Sequence, residues 1–264
     1  MQDWTISLTP LTGAAVAALC TQRLGAGAGQ HDALVERIVR EAQGSPFLAF
    51  QLAALAEAKI ARGDDLARLS LDDLVEQTSA LLPTEAKGLL ATLAVAGRPM
   101  LPKLALRAAG IKREGRSHLH ALRGLNLVRT RDVDGERLVE IYHDRVRERV
   151  QSSLSAAQRA HVHENLLRAV ESSGQADADW LHTLALGAGQ RAQALRYGLL
   201  AAERASATLA FERAAELYQQ CLELTEGPAA DGDGIWRKLA LALACCGRGS
   251  RAGDAYLEAA KHAP

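Results

Sequence analysis

The 264-residue chain has no excess of charge of either sign: 31 basic and 31 acidic side chains leave a formal net charge of zero. That excludes a nucleic-acid binder that is basic throughout, but not one with a local basic patch. Aromatic residues are scarce at 4%. Lysine is scarce too: Lys59, Lys87, Lys103, Lys112, Lys238 and Lys261 are the six, so arginine supplies most of the positive charge. No run of 18 apolar residues occurs, so no spanning helix is expected. Met1-Gln2-Asp3-Trp4 has neither the basic start nor the apolar core of a secretory leader, and the expected compartment is the cytoplasm. The four cysteines, Cys20, Cys221, Cys245 and Cys246, show no C-x-x-C spacing and no histidine at zinc-finger distance. They are expected to be buried, reduced thiols.

The usual catalytic signatures are missing as well. No G-x-x-x-x-G-K-[ST] phosphate loop and no G-x-S-x-G elbow occurs. Gly25, Gly27 and Gly29 fall short of a dinucleotide fingerprint, because Gln30 stands at the place of the last glycine and no strand precedes them. They read as a link between helices. His163-Glu164 is followed by Asn165-Leu166, not by the second histidine of a zinc protease helix. His161 and His163, two apart, point to different helix faces and do not share a metal. The expected catalytic and metal sets are therefore empty.

What is present is alanine and leucine. Hydrophobic residues make up 48% and charged residues 23%, a globular balance with room for about two domains. Alanine loses no side-chain entropy in a helix, so the chain is expected to be mostly α. An apolar segment runs from Leu11 to Cys20. The spacing of Leu34, Val35, Ile38 and Val39 predicts a helix over 31–43, closed by Gly44. Ser45-Pro46 opens the next, which ends near Gly63; proline at a first turn loses no hydrogen bond. Further helices are expected at 71–82, from Pro83 to Gly97, at 101–109 and at 117–125.

There the period changes. Leu127–Arg131 and Arg137–Ile141 read as two strands, and the Asp134-Gly135 pair between them signals a hairpin. Three helices followed by a hairpin is the winged-helix pattern. Helix returns at 142–150, then at about 155–172, 177–188, 190–205, 208–225, 235–247 and 250–263, as three antiparallel pairs interrupted by a Gly/Asp-rich loop at 227–234. The last pair places Trp236, Leu239, Ala240, Leu243, Gly247, Ala252, Tyr256, Ala259 and Pro264 at positions of a tetratricopeptide repeat. Ala202, Ala205, Ala214, Tyr218 and Cys221 repeat the pattern one pair earlier. Small residues let helices approach, and the large rings are expected to fill the gaps between pairs.

Taken in order, Leu8-Thr9-Pro10-Leu11, Gly44-Ser45-Pro46-Phe47-Leu48, Tyr142-His143-Asp144-Arg145 and the alanine-rich repeats give the chain a family resemblance over nearly its whole length. It resembles the part that follows the nucleotide-binding core in signal-transduction ATPases of the STAND class. Closest in style are those fused to bacterial serine/threonine protein kinases and the maltose-activator type of transcription regulator. The resemblance implies three units: a helical lid within 1–68, a winged helix at 69–152 and tetratricopeptide-like repeats at 153–264. It implies that Pro46 and Phe47 lie beside the adenine, and that His143 reaches the β-phosphate of ADP, with Asp144 orienting the ring or capping the following helix. Tyr142 stands where methionine is usual. ATP or ADP would be bound by the full-length parent, whose phosphate loop and magnesium-binding carboxylate lie on an upstream core; the chain alone would need no cofactor.

The expected function is a non-catalytic regulatory segment that docks a protein or peptide on its repeats, with Arg191, Arg196, Arg204 and Arg213 as candidates to line the groove. The alternative is a transcription-regulator segment contacting DNA. Residues 101–131 hold eight cations against the single Glu114, and Lys112, Arg113, Arg116, Arg123, Arg129 and Arg131 would make the contacts. Two points weigh against it. The 117–125 helix is rich in leucine with no base-reading amide before Asn126, and in this ATPase class the winged helix serves within the protein. No membrane partner is expected.

Overall fold

A computed structural model describes residues 9–25, 32–66, 69–174, 177–225 and 232–261 of the chain. Among them lie fourteen helices and one two-stranded antiparallel sheet. Leu8, Gly27, Gly29, Gln30, His31, Pro264 and residues 227–231 of the expected loop fall outside the described residues.

The chain opens with α1 (Gly13–Leu24), α2 (Asp32–Ala42) and α3 (Pro46–Arg62), which pack on one another. Thr12 and Ser45 start α1 and α3 by accepting hydrogen bonds from the amides of Ala15 and Leu48, which satisfies donors a helix start leaves open. Val16, Cys20, Ile38, Leu48 and Leu52 are sealed between the three. Burying a Val, Leu or Ile side chain contributes about 1.5–3 kcal/mol, so this face outweighs helix propensity as the reason the segment folds.

Next come α4 (Leu71–Ala80), α5 (Thr84–Ala96), α6 (Pro102–Ala108) and α7 (Gly115–Gly124), then β1 (Val128–Val133) and β2 (Glu136–Ile141). α5 is buried on every side from Leu89 to Ala96. Its one buried hydroxyl, on Thr92, donates to the carbonyl of Gly88. The strands pair from Val128↔Ile141 to Val133↔Glu136. Asp134 and Gly135 both take positive φ, 51° and 82°, the backbone a two-residue turn needs to match strand twist. Met100 adds a one-residue bridge to the sheet, exchanging hydrogen bonds of 3.0 and 2.8 Å with Val139. A single residue has no periodicity, so this pairing was invisible in the sequence.

α8 (Asp144–Ser153) leads to α9 (Ala156–Glu171), α10 (Ala178–Gly187), α11 (Arg191–Ala207), α12 (Phe211–Leu224), α13 (Gly232–Cys245) and α14 (Gly249–Lys261). From α9 onward each helix packs on the next, and α9 also lies against α5 and α6. Small residues permit the approach. A Cβ on Gly198 would stand 2.7 Å from the Cys221 sulfur and 2.8 Å from Nδ1 of His182. His182 is buried, with Nδ1 2.7 Å from the carbonyl oxygen of Ala194 and Nε2 3.0 Å from the side-chain oxygen of Gln220. One buried apolar cluster runs from Val16 to Tyr197, and a second from Ala178 to Ala255.

Several expectations are corrected. The helix expected from Tyr142 starts at Asp144, because Tyr142 is still paired with the carbonyl of Leu127. α13 starts at Gly232, inside the expected loop. Cys20 and Cys221 are buried free thiols, but Cys245 is exposed and Cys246 half-buried, since they end α13 past its packed face. Burial pushes the Cys221 thiol up to about 11. Tyr218 is 2% exposed under α13, whereas the equivalent Tyr256 is 46% exposed, because no described helix follows α14. Of the groove arginines, Arg213 makes a two-pronged pair with Asp179 at 2.6 and 3.2 Å, and Arg191 donates to the carbonyls of Glu223 and Leu224. Both tie one helical layer to another. Arg196 lies over the Tyr197 ring, and Arg204 is solvent-exposed.

Candidate functional site

Two motifs far apart in sequence meet where the first three helices adjoin the hairpin and α8. On one side the chain reverses after α2. Gln43 and Gly44 take positive φ, 46° and 76°, and a Cβ on Gly44 would fall 2.7 Å from the carbonyl oxygen of Leu11. Only glycine fits that approach without strain. The Leu11 amide donates to the Gly44 carbonyl at 2.8 Å, so the Pro10-Leu11 stretch is pinned to the same turn. Ser45 then caps α3 and Pro46 occupies its first turn, exposed. Phe47 turns toward the hairpin.

On the other side, β2 ends at Ile141 and the chain crosses through Tyr142 and His143 into α8. The rings of Phe47 and Tyr142 meet at 4.5 Å between centroids, tilted by 47°. Such a pair contributes about 0.5–1.5 kcal/mol beyond the area it buries. The Arg129 guanidinium lies 5.7 Å from the Tyr142 centroid while bonding Glu140 at 2.7 Å. Arg145 closes the junction. Its guanidinium donates to the main-chain carbonyl of Glu41 and stands 3.6 Å from the Glu41 carboxylate. That carboxylate also accepts the Leu71 amide at the start of α4, at 3.2 Å. Glu41 thus links α2, α4 and α8.

His143 is the N-cap of α8: its Nδ1 accepts the Arg145 amide at 3.3 Å. This corrects the role offered for Asp144. Asp144 neither caps the helix nor pairs with the ring; it lies in the first turn, largely exposed, 3.2 Å from Arg147. Burial of the His143 ring lowers its pKa below 6.5; Arg145 adds to that, and Asp144 and Glu148 oppose it. The ring is therefore mostly neutral at pH 7. With Nδ1 accepting, the tautomer assigned from this bond carries its proton on Nε2, a single donor available to an acceptor such as a phosphate oxygen.

The structure thus gathers Phe47, Tyr142 and His143 at one junction, with Pro46 beside Phe47 and Asp144 beside His143. Sequence reasoning missed Glu41, Arg145 and Arg129 as parts of it. Arg145 stood in a quoted motif, but a lone glutamate near a helix end carries no signal. A nucleotide fits this junction in part. There is a ring platform and one imidazole donor, but the sequence offers no phosphate loop. Among the described residues no cluster of three or more His, Cys, Asp or Glu stands ready to hold a metal. The six cations of the alternative site, Lys112, Arg113, Arg116, Arg123, Arg129 and Arg131, are all exposed, and Arg129 is engaged at the junction by Glu140. No helix among the described residues is long and apolar enough to cross a membrane.

No protein-family model and no curated protein matches the chain. Among solved structures, it is similar to the crystal structure of a Signal Transduction ATPase with Numerous Domains (STAND) protein with a tetratricopeptide repeat sensor from Pyrococcus horikoshii. The identity is 14% and the TM-score 0.39, over 96% of this chain and 41% of that one. The chain therefore spans less than half the length of that structure.

Proposed function

We propose that the chain is a regulatory, non-catalytic segment of a cytoplasmic signal-transduction ATPase of the STAND class, linked to a bacterial serine/threonine protein kinase. Residues 1–68 serve as the helical lid, 69–152 as the winged helix and 153–264 as tetratricopeptide-like repeats that dock a protein or peptide. The observation that carries the reading is the junction. Phe47 on Tyr142, and Arg145 on Glu41, couple the lid to the winged helix at the place where the two motifs of the resemblance meet. A nucleotide held by an upstream core would meet Pro46 and Phe47 at its base and the Nε2 proton of His143 at its phosphates. The bound nucleotide would supply the charge that distinguishes resting from active states; the residues here orient the donor and hold the two units together.

The test is ADP retention by the protein that supplies the core. His143→Ala is expected to speed ADP release about tenfold or more, the scale of losing one hydrogen bond to a charged group. Unchanged release rules the role out. The isolated chain is expected to show no ATP turnover, and turnover by it would overturn the non-catalytic assignment.

A further inference from the structure

The leucines of α7 do not face solvent. Leu122 is buried, and Leu119 and the adjoining Leu125 are packed against the core. The outward face carries Arg116, Ser117, His120 and Arg123, at helical i, i+1, i+4 and i+7 positions. Every one of these side chains is a hydrogen-bond donor. Lys112 and Arg113 stand beside Ser117, with the carboxylates Glu85 and Glu114 on the same surface, and Lys103 on α6 and Arg131 on β1 are exposed as well. Elsewhere arginines are mostly paired: Arg23, Arg62, Arg98, Arg145, Arg149 and Arg213 all have carboxylate partners. Among the described residues no ion pair engages Lys103, Lys112, Arg113, Arg116, Arg123 or Arg131. In a chain of zero net charge, this stretch of eight cations and one carboxylate leaves the remainder acidic by seven.

The face also selects among anionic partners by what it lacks. Among the described residues, none of the exposed large hydrophobic side chains lies between 101 and 131. A protein partner would need an apolar or aromatic anchor there. A single strand would need a row of rings on which to stack, and the face offers only the His120 imidazole. The A-form major groove is too narrow for a helix, whereas that of B-DNA admits one. We propose that the outer face of α7, with Lys112 and Arg113 ahead of it and Arg131 on β1 beside it, binds duplex DNA, chiefly through phosphates. This goes beyond the nucleotide-relay reading and does not depend on it.

The experiment is fluorescence anisotropy of a labelled DNA duplex titrated with the 264-residue chain over a range of salt concentrations. Non-specific affinity of about 10⁻⁴–10⁻⁶ M at physiological salt is expected, with a log–log salt slope of about −3.6 to −5.4 for four to six phosphate contacts. Arg116→Glu with Arg123→Glu should weaken binding about tenfold or more and make the slope shallower by about two, and the Gln pair should do the same to a lesser degree. Arg251→Glu, on exposed α14, is the control and should leave binding unchanged. Equal melting temperatures establish that the variants are folded. No binding at low salt, full binding by the double Glu variant, or equal binding of polyglutamate would each overturn the proposal; the last would assign the face to an acidic protein.

Discussion

Single residues set the tolerances of this molecule. Gly198 sits where α11 crosses Cys221 and His182, with no room for a methyl group. Gly198→Ala is expected to destabilise the chain by about 1–3 kcal/mol, read as a lower melting temperature, because a close-packed interface must shift to admit the carbon. A neutral result would mean that the helices part more easily than the contact implies. The histidines set a pH dependence. Burial holds His143 and His163 below 6.5, with Arg145 and Arg159 acting in the same direction. A depressed histidine binds fewer protons folded than unfolded. Its contribution is complete above about 6.5 and is lost as the pH falls through that value toward the lower folded pKa. The melting temperature should therefore drop between pH 7 and pH 5, and His163→Gln should flatten that drop.

Elements owe their ends to short local rules. Ser155 and Gln158 form a reciprocal cap on α9: the Ser155 hydroxyl accepts the Gln158 amide at 3.2 Å, and the Gln158 side chain accepts the Ser155 amide at 2.8 Å. Ser155→Ala should cost about 1 kcal/mol in denaturant unfolding. The effect should extend beyond α9, since that helix seats the later helices against α5 and α6. The same local rules explain why the helices and the hairpin could be located from sequence. Ser45-Pro46, Gly63, Gly97 and Asp134-Gly135 punctuate the chain through backbone conformation and orphan amides, which act over a few residues. They also show the limits of such signals. Gly44-Ser45-Pro46 is fully accounted for as turn, cap and first-turn proline, so the motif alone says nothing about a ligand.

For the molecule as a whole, stacking decides which side chains carry stability. Tyr218 and Tyr256 hold the same place in successive hairpins, but α13 covers the first and no described helix covers the second. Tyr218→Ala should cost about 3–5 kcal/mol, by analogy with other large-to-small changes in a core, while Tyr256→Ala should cost under about 1 kcal/mol. Similar losses in the two variants would show that the end of the stack is covered in solution. Tyr256 and Leu257, exposed together on α14, are the sort of anchors a partner helix would use.

Helix content, the hairpin and the order of the described elements were legible in the residues, because periodicity, caps and turn preferences are encoded within a few positions of one another. The junction of the first three helices with the hairpin and α8 was legible only as two separate motifs. That Phe47 lies on Tyr142, that Glu41 grips both Arg145 and the start of α4, and that His143 rather than Asp144 caps α8 depended on segments distant in sequence meeting in space. The same holds for the face of α7: its leucine content argued against a DNA-reading helix until packing showed the leucines turned inward and the cations outward. A linear pattern specifies which face is apolar; only the surrounding helices specify what that face meets, and therefore what is left for solvent and partners.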